Sequence, residues 1–138
     1  MSNRCSLSRP KILCVDDDTE ITQALRLRLE RYDVDVLTAK DGTDGFWMAV
    51  NGHPDVIVTD IRMADGGGDY LVECLQGRTD TCDTPVITLT GSRDCDLKRW
   101  MLTLGVKHYL QKPLCFDDVA DAIGLYVCLE PACEVIGS

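Results

Sequence analysis

The sequence predicts an α/β fold: a five-stranded parallel sheet, doubly wound with five helices. Three observations carry that reading. Five short apolar or β-branched runs, at 11–15, 34–38, 55–59, 86–89 and 106–110, alternate with segments of helical spacing. The middle run, Val56-Ile57-Val58, is apolar without a break, as a strand covered on both faces should be. Acidic, hydroxyl and lysine residues stand just past the ends of these runs, where open α/β sheets carry their ligands. Regular alternation of strand and helix is met by a parallel sheet with right-handed crossovers.

The elements follow in order. Ile21, Leu25, Leu29 and Tyr32 mark the first helix, with Arg26, Arg28, Glu30 and Arg31 interleaved. Asp35 between Val34 and Val36 gives the second run an alternating pattern, which reads as an edge strand. Phe46, Trp47 and Val50 mark a short second helix that ends at Asn51-Gly52. Tyr70, Leu71, Cys74 and Leu75 mark a third, stopped by Gly77. Leu97, Trp100, Met101 and Leu104 form the stripe of a fourth, stopped by Gly105, and this stripe assigns Trp100 to the core. Val119, Ala122, Ile123, Tyr126 and Val127 make a fifth, halted by Pro131. Residues 1–10 lack periodicity and read as a loose arm, and Gly66-Gly67-Gly68 is the flexible stretch of note.

Composition narrows the class. A chain of 138 residues with 45% apolar and 27% charged residues fits one globular domain with a single core. A net charge of −9 disfavours nucleic-acid binding by this chain. No apolar run approaches the roughly 18 residues of a membrane span, and the N-terminus has no signal-peptide core, so a cytoplasmic setting is expected. None of the eight cysteines are spaced C-x-x-C. Cys14 and Cys74 fall at apolar positions and read as small, reduced hydrophobes. A disulfide scaffold is not expected. His53 and His108 have no acidic or cysteine partner nearby in sequence and read as surface residues.

The chemistry lies at the strand ends. Asp16, Asp17 and Asp18 follow the first run and Asp60 follows the third. Carboxylates held together raise one another's pKa and destabilise a fold unless a cation or proton offsets them. Two or three of them facing one side suit Mg²⁺, which takes oxygen ligands and pairs with phosphoryl oxygens. Thr90 after the fourth run and Lys112 after the fifth add a hydroxyl donor and a point positive charge, both suited to a phosphoryl group. Asp18 is expected to cap the first helix.

Together, Val15-Asp16-Asp17-Asp18, Thr59-Asp60-Ile61-Arg62-Met63, Leu89-Thr90 and Tyr109-Leu110-Gln111-Lys112-Pro113 resemble the receiver domain of two-component response regulators, from about Lys11 to Leu129. The resemblance implies strand order 2-1-3-4-5, the flavodoxin-like arrangement of the chemotaxis regulators. It divides the chain into an arm at 1–10, a receiver domain at 11–130 and a tail at 131–138. It makes Asp60 the phosphoacceptor, served by the phosphohistidine of a histidine kinase or a histidine phosphotransfer protein. Asp16, Asp17, Asp60 and the backbone carbonyl of Arg62 would hold Mg²⁺, for which Mn²⁺ can substitute. Thr90 and Lys112 would bind the oxygens of the acyl phosphate, and the Lys112–Pro113 bond would be cis.

The family's switch is also implied: Thr90 moves toward the phosphoryl group, Tyr109 turns inward, and the surface of the fourth helix, fifth strand and fifth helix is remodelled. That surface is also a candidate homodimer face. The histidine-bearing partner would dock on the first helix, with Ile21 and Leu25 near the rim. Ala64 stands where the family commonly has Pro, followed by Asp65 and three glycines. Gly91 leaves access to Asp60 open, and Arg62 and Ser92 occupy positions that tune acyl-phosphate lifetime. Two other classes compete. A phosphohydrolase with an aspartyl-phosphate intermediate needs an acid two residues after Asp60, where Arg62 stands. A degenerate receiver would act only as a protein-interaction module. The segment Glu130–Ser138 is too short for a DNA-binding or enzymatic module, so either a stand-alone receiver with an output partner or a piece of a longer protein is expected.

Overall fold

The computed structural model describes residues 9–61, 67–91, 95–113 and 115–132. Strand and helix alternate along them: β1 (Lys11–Val15), α1 (Thr19–Leu29), β2 (Asp35–Ala39), α2 (Gly42–Gly52), β3 (Val56–Asp60), α3 (Gly68–Gln76), β4 (Val86–Thr90), α4 (Cys95–Thr103), β5 (His108–Gln111) and α5 (Phe116–Ile123). All strand pairs are parallel and the order is β2-β1-β3-β4-β5, the expected flavodoxin-like sheet. β3 lies at the centre with every residue buried, and β2 lies at an edge.

The two-residue period of the strands divides the core into two layers. Ile12, Cys14, Val56, Val58, Ile87 and Leu89 meet Leu25 and Leu29 of α1 and Val119 and Ile123 of α5. Leu13, Val15 and Ile57 face the other way, against Ala49 of α2, Leu71 and Leu75 of α3 and Met101 of α4. Each such aliphatic side chain contributes about 1.5–3 kcal/mol by leaving water. Burial pushes the Cys14 thiol pKa up to about 12, so it behaves as an apolar side chain. Cys14, Cys74, Cys82 and Cys115 are free thiols.

Helix starts follow local chemistry. The Asp18 carboxylate accepts from the Glu20 amide at 3.0 Å and caps α1, as its position in the sequence predicted. The Asp41 carboxylate does the same for α2 through the Asp44 amide at 2.7 Å.

Several sequence expectations shift. β3 and β4 run one residue further than their apolar runs, so Asp60 and Thr90 are final strand residues rather than the first residues beyond. Val106 belongs not to β5 but to the preceding turn, where its amide donates to the Met101 carbonyl. Trp100 is 46% exposed, not in the core. Met101 is the centre of the α4 stripe, with Leu97 and Leu104 one turn to either side, and Trp100 falls at its edge. α5 ends at Ile123, because Gly124 caps it and the next two amides make tighter turns onto Ala122 and Ile123. Val127 still packs on the core from the segment beyond, as does Leu129, which explains why the spacing as far as Val127 looked helical. That segment pairs antiparallel with the turn after α1 through Tyr32 and Pro131. At the other end of the chain, Arg9 donates to the Val34 carbonyl and pairs with Asp33.

Candidate functional site

The carboxyl ends of β1, β3, β4 and β5 converge on one edge of the sheet. The Asp16 amide donates to the Ala39 carbonyl at 3.1 Å, which carries the β1–β2 ladder one residue beyond β1. One Asp16 oxygen accepts from the Asp18 amide at 2.9 Å, so the carboxylate is aimed by the same turn that caps α1. The Lys112 amide donates to the Thr90 carbonyl at 2.7 Å and ties the end of β5 to that of β4. From there the Lys112 ammonium reaches Asp16 at 3.2 Å and Asp60 at 3.4 Å. The Lys112–Pro113 peptide is cis.

Asp16, Asp17 and Asp60 each bring a carboxylate oxygen to within 4.8 Å of the other two. Asp16 and Asp60 are only 2% and 6% exposed, whereas Asp17 faces solvent. Burial is the main force raising both pKa values, since it penalises the charged form. Asp16 adds a like-charge push on Asp60, while Lys112 pulls both acids down. For Lys112, burial alone would lower the pKa, but Asp16 and Asp60 outweigh it and the net shift is upward. Among the described residues the Lys112 ammonium is therefore shared by Asp16 and Asp60, and with Asp17 beside them the site holds a surplus of negative charge.

Thr90 is fully buried at the end of β4, one residue past the Asp60–Leu89 pair. Thr88 pairs with Tyr109, and Thr90 and Thr88 share a face by strand period, so Thr90 and Tyr109 lie on the side covered by α4. The Tyr109 hydroxyl is buried, and the Lys98 ammonium lies 5.9 Å from the centre of its ring.

The structure thus brings together Asp16, Asp17, Asp60 and Lys112, with Thr90 at the adjoining strand end. Arg62 and Ser92, singled out in the sequence, lie outside the described residues, as do Ala64 and Asp65. Two participants escaped sequence reasoning. The Thr59 hydroxyl donates to the Asp60 carbonyl at 2.9 Å. Gly68 presses its backbone against that same carbonyl, where a Cβ would lie 2.7 Å from the oxygen, and its amide donates to Ile61 at 2.8 Å. The run of three glycines was the available signal, and it read as flexibility instead of close approach.

The family model of the response regulator receiver domain matches residues 12–124. The chain belongs to the response regulator receiver family. Among curated relatives, the acid tolerance regulatory protein ActR of Rhizobium meliloti is 34% identical over 112 residues, 81% of this chain and 57% of that protein. The alkaline phosphatase synthesis transcriptional regulatory protein PhoP of Bacillus subtilis is 36% identical over 103 residues, 75% of this chain and 42% of that one. This receiver thus spans about half the length of those curated relatives. The solved chemotaxis protein CheY4 of Vibrio cholerae superposes with a TM-score of 0.81 at 25% identity, covering 87% of this chain and 100% of that chain. The receiver domain of Francisella response regulator 1452 gives 0.77 at 30% identity, covering 85% and 95%. No described helix of the receiver is long and apolar enough to cross a membrane.

Proposed function

We propose that Asp60 is the phosphoacceptor of this receiver and that it takes its phosphoryl group from the phosphohistidine of a histidine kinase or a histidine phosphotransfer protein. The observation that carries the reading is the Lys112 ammonium bridging Asp16 and Asp60 beside the third carboxylate of Asp17. An Asp60 carboxylate oxygen attacks phosphorus. The new O–P bond forms as the P–N bond breaks, and the imidazole leaves with the electron pair and takes up a proton. Lys112 offsets charge on the phosphoryl oxygens, and the Thr90 hydroxyl donates to one of them.

The donor set suits Mg²⁺, because it consists of hard carboxylate oxygens with more negative charge than one lysine can offset. Asp16, Asp17 and Asp60, with the Arg62 carbonyl, would hold it, and Mn²⁺ can take its place. When bound, the ion supplies positive charge to the transferring oxygens.

The switch in this reading runs from Thr90 to Tyr109, which share a sheet face under α4. Movement of Thr90 toward a phosphoryl group vacates space that the Tyr109 ring fills, which remodels the α4–β5–α5 surface. Trp100 and Leu102 are exposed on α4, and Leu125 and Tyr126 just past the end of α5, which makes that surface the candidate for output contacts or a homodimer.

The docking face on α1 needs one amendment. Leu25 is buried in the core and cannot meet a partner, while Leu27 is 68% exposed. Leu27 joins Thr19, Thr22, Gln23 and Arg26 along a groove of about 430 Å³. The free thiols fit a cytoplasmic setting.

Beryllofluoride with Mg²⁺ tests the acceptor. The amide resonances of Asp60, Thr90 and β5 should shift in the wild type and stay fixed in Asp60→Asn. An equal response from Asp60→Asn removes the proposal.

A further inference from the structure

The solvent faces of α2 and α3 carry a feature the acidic site does not use. Trp47 on α2 is 61% exposed and Tyr70 on α3 is 43% exposed. The two helices pack side by side, and the Tyr70 phenol interacts with Cys74 of its own helix and with Thr43 of α2. Thr43 precedes Trp47 by one helical turn, so both lie on the face that meets Tyr70. Glu73, three residues after Tyr70, is exposed on the same side. Trp and Tyr are the side chains that most often anchor interfaces, because they bury large area at small entropic cost.

The charged residues within the two helices are all acidic. α2 and α3 contain Asp44, Asp69 and Glu73 and no Lys, Arg or His. The flanking bases are Lys40 and His53 at the ends of α2 and Arg78 after α3, and Arg78 is paired with Asp80 at 2.9 Å. Trp100, the other exposed tryptophan, instead follows Lys98 and Arg99 in the sequence of α4. Aromatic faces edged by carboxylates attract cations and turn acidic surfaces away.

We propose that the α2–α3 face is a docking surface for a basic segment of a partner protein, whose Arg or Lys side chains meet Glu73 and the two rings while its apolar side chains cover Trp47 and Tyr70. The surface is built from residues outside the phosphoacceptor site, so it stands or falls independently of that reading.

The two tryptophans provide their own control. The full chain is titrated with a synthetic amphipathic peptide of Arg and Leu, and with the same peptide carrying Glu for Arg, while both indole N–H resonances are followed. With the basic peptide, the Trp47 indole and the Tyr70 and Glu73 amides shift saturably and the Trp100 indole does not. Trp47→Ala with Glu73→Lys weakens binding at least about tenfold while circular dichroism stays that of the wild type. Equal movement of Trp100, binding of the acidic peptide or unchanged affinity of the variant overturns the proposal. Trp47-dependent self-association in sedimentation, without peptide, assigns the face to a second copy and overturns it as well.

Discussion

Lys112 and Asp16, 96 residues apart in the sequence, meet at 3.2 Å. Their contact closes the site from opposite flanks of β3, since Asp16 extends β1 and Lys112 extends β5. Asp60 lies between them as the last residue of the central strand. One cation thus holds two buried carboxylates, and the third acid, Asp17, remains uncompensated within the described residues.

That surplus predicts that the metal-free protein is less stable at neutral pH than it would be with Asp60 uncharged. Burial and then the Asp16 charge raise the Asp60 pKa, so the fold favours its neutral form. The stability this lends is present below the ordinary carboxylate value of 3.8 and is lost as pH rises through the raised folded value. Asp60→Asn should therefore stabilise the metal-free chain at pH 7 by about 1 kcal/mol, or roughly 3–5 °C in Tm. Thermal melts across pH should show the gain shrink toward zero below pH 4. A variant less stable than wild type at pH 7 contradicts this.

Lys112→Met should act with the opposite sign on stability. Removing the ammonium that bridges Asp16 and Asp60 costs about 1 kcal/mol at neutral pH, after discounting for the partial exposure of the lysine. Lys112 has a raised pKa in the folded state, so its contribution is present below 10.5 and fades as pH climbs through the folded value. The same change leaves the carboxylates more negative, so Mg²⁺ should bind severalfold more tightly even as phosphorylation slows. Calorimetric titration that finds weaker Mg²⁺ binding to Lys112→Met contradicts the electrostatic account.

Gly68→Ala should disturb acceptor and fold together. Its Cβ would lie 2.7 Å from the Asp60 carbonyl oxygen, so the start of α3 or the end of β3 must shift. A loss of about 1–3 kcal/mol in urea melts is expected, with slower labelling at Asp60. Gly91→Ala, where a Cβ meets nothing within 4 Å, should change stability by far less.

Thiol chemistry gives a fourth check. Cys14 is fully buried and its pKa is pushed to about 12, so it should resist alkylation until the chain unfolds. Among the described free thiols, exposed Cys115 should react first. Mass mapping after brief iodoacetamide treatment distinguishes them, and early modification of Cys14 contradicts the packing of β1.

The sequence made the sheet legible because four of its five strands advertise themselves twice, by an apolar run and by a polar residue at its end, while β2 shows only its alternating pattern. Asp16, Asp17, Asp60 and Lys112 could be found that way, since an acidic cluster at the ends of apolar runs destabilises a fold unless a cation offsets it. What stayed hidden depends on angle and distance. Trp100 and Met101 are neighbours in one stripe, and only the helix orientation shows that Met101 is buried and Trp100 is not. Leu25 and Leu27 differ in the same way on α1. Gly68 reads as a flexible residue until the Asp60 carbonyl is placed against it. The Thr59 hydroxyl bond gives no sequence signal, because a Thr at that position is equally at home as a β-former.

The most direct measurement is mapping of the phosphoryl group after incubation with acetyl phosphate and Mg²⁺. Borohydride reduction of the acyl phosphate followed by peptide mass spectrometry should place the modification at Asp60, with none in Asp60→Asn and none when Mg²⁺ is chelated. Modification at another residue in the wild type, or equal incorporation in Asp60→Asn, would contradict the account.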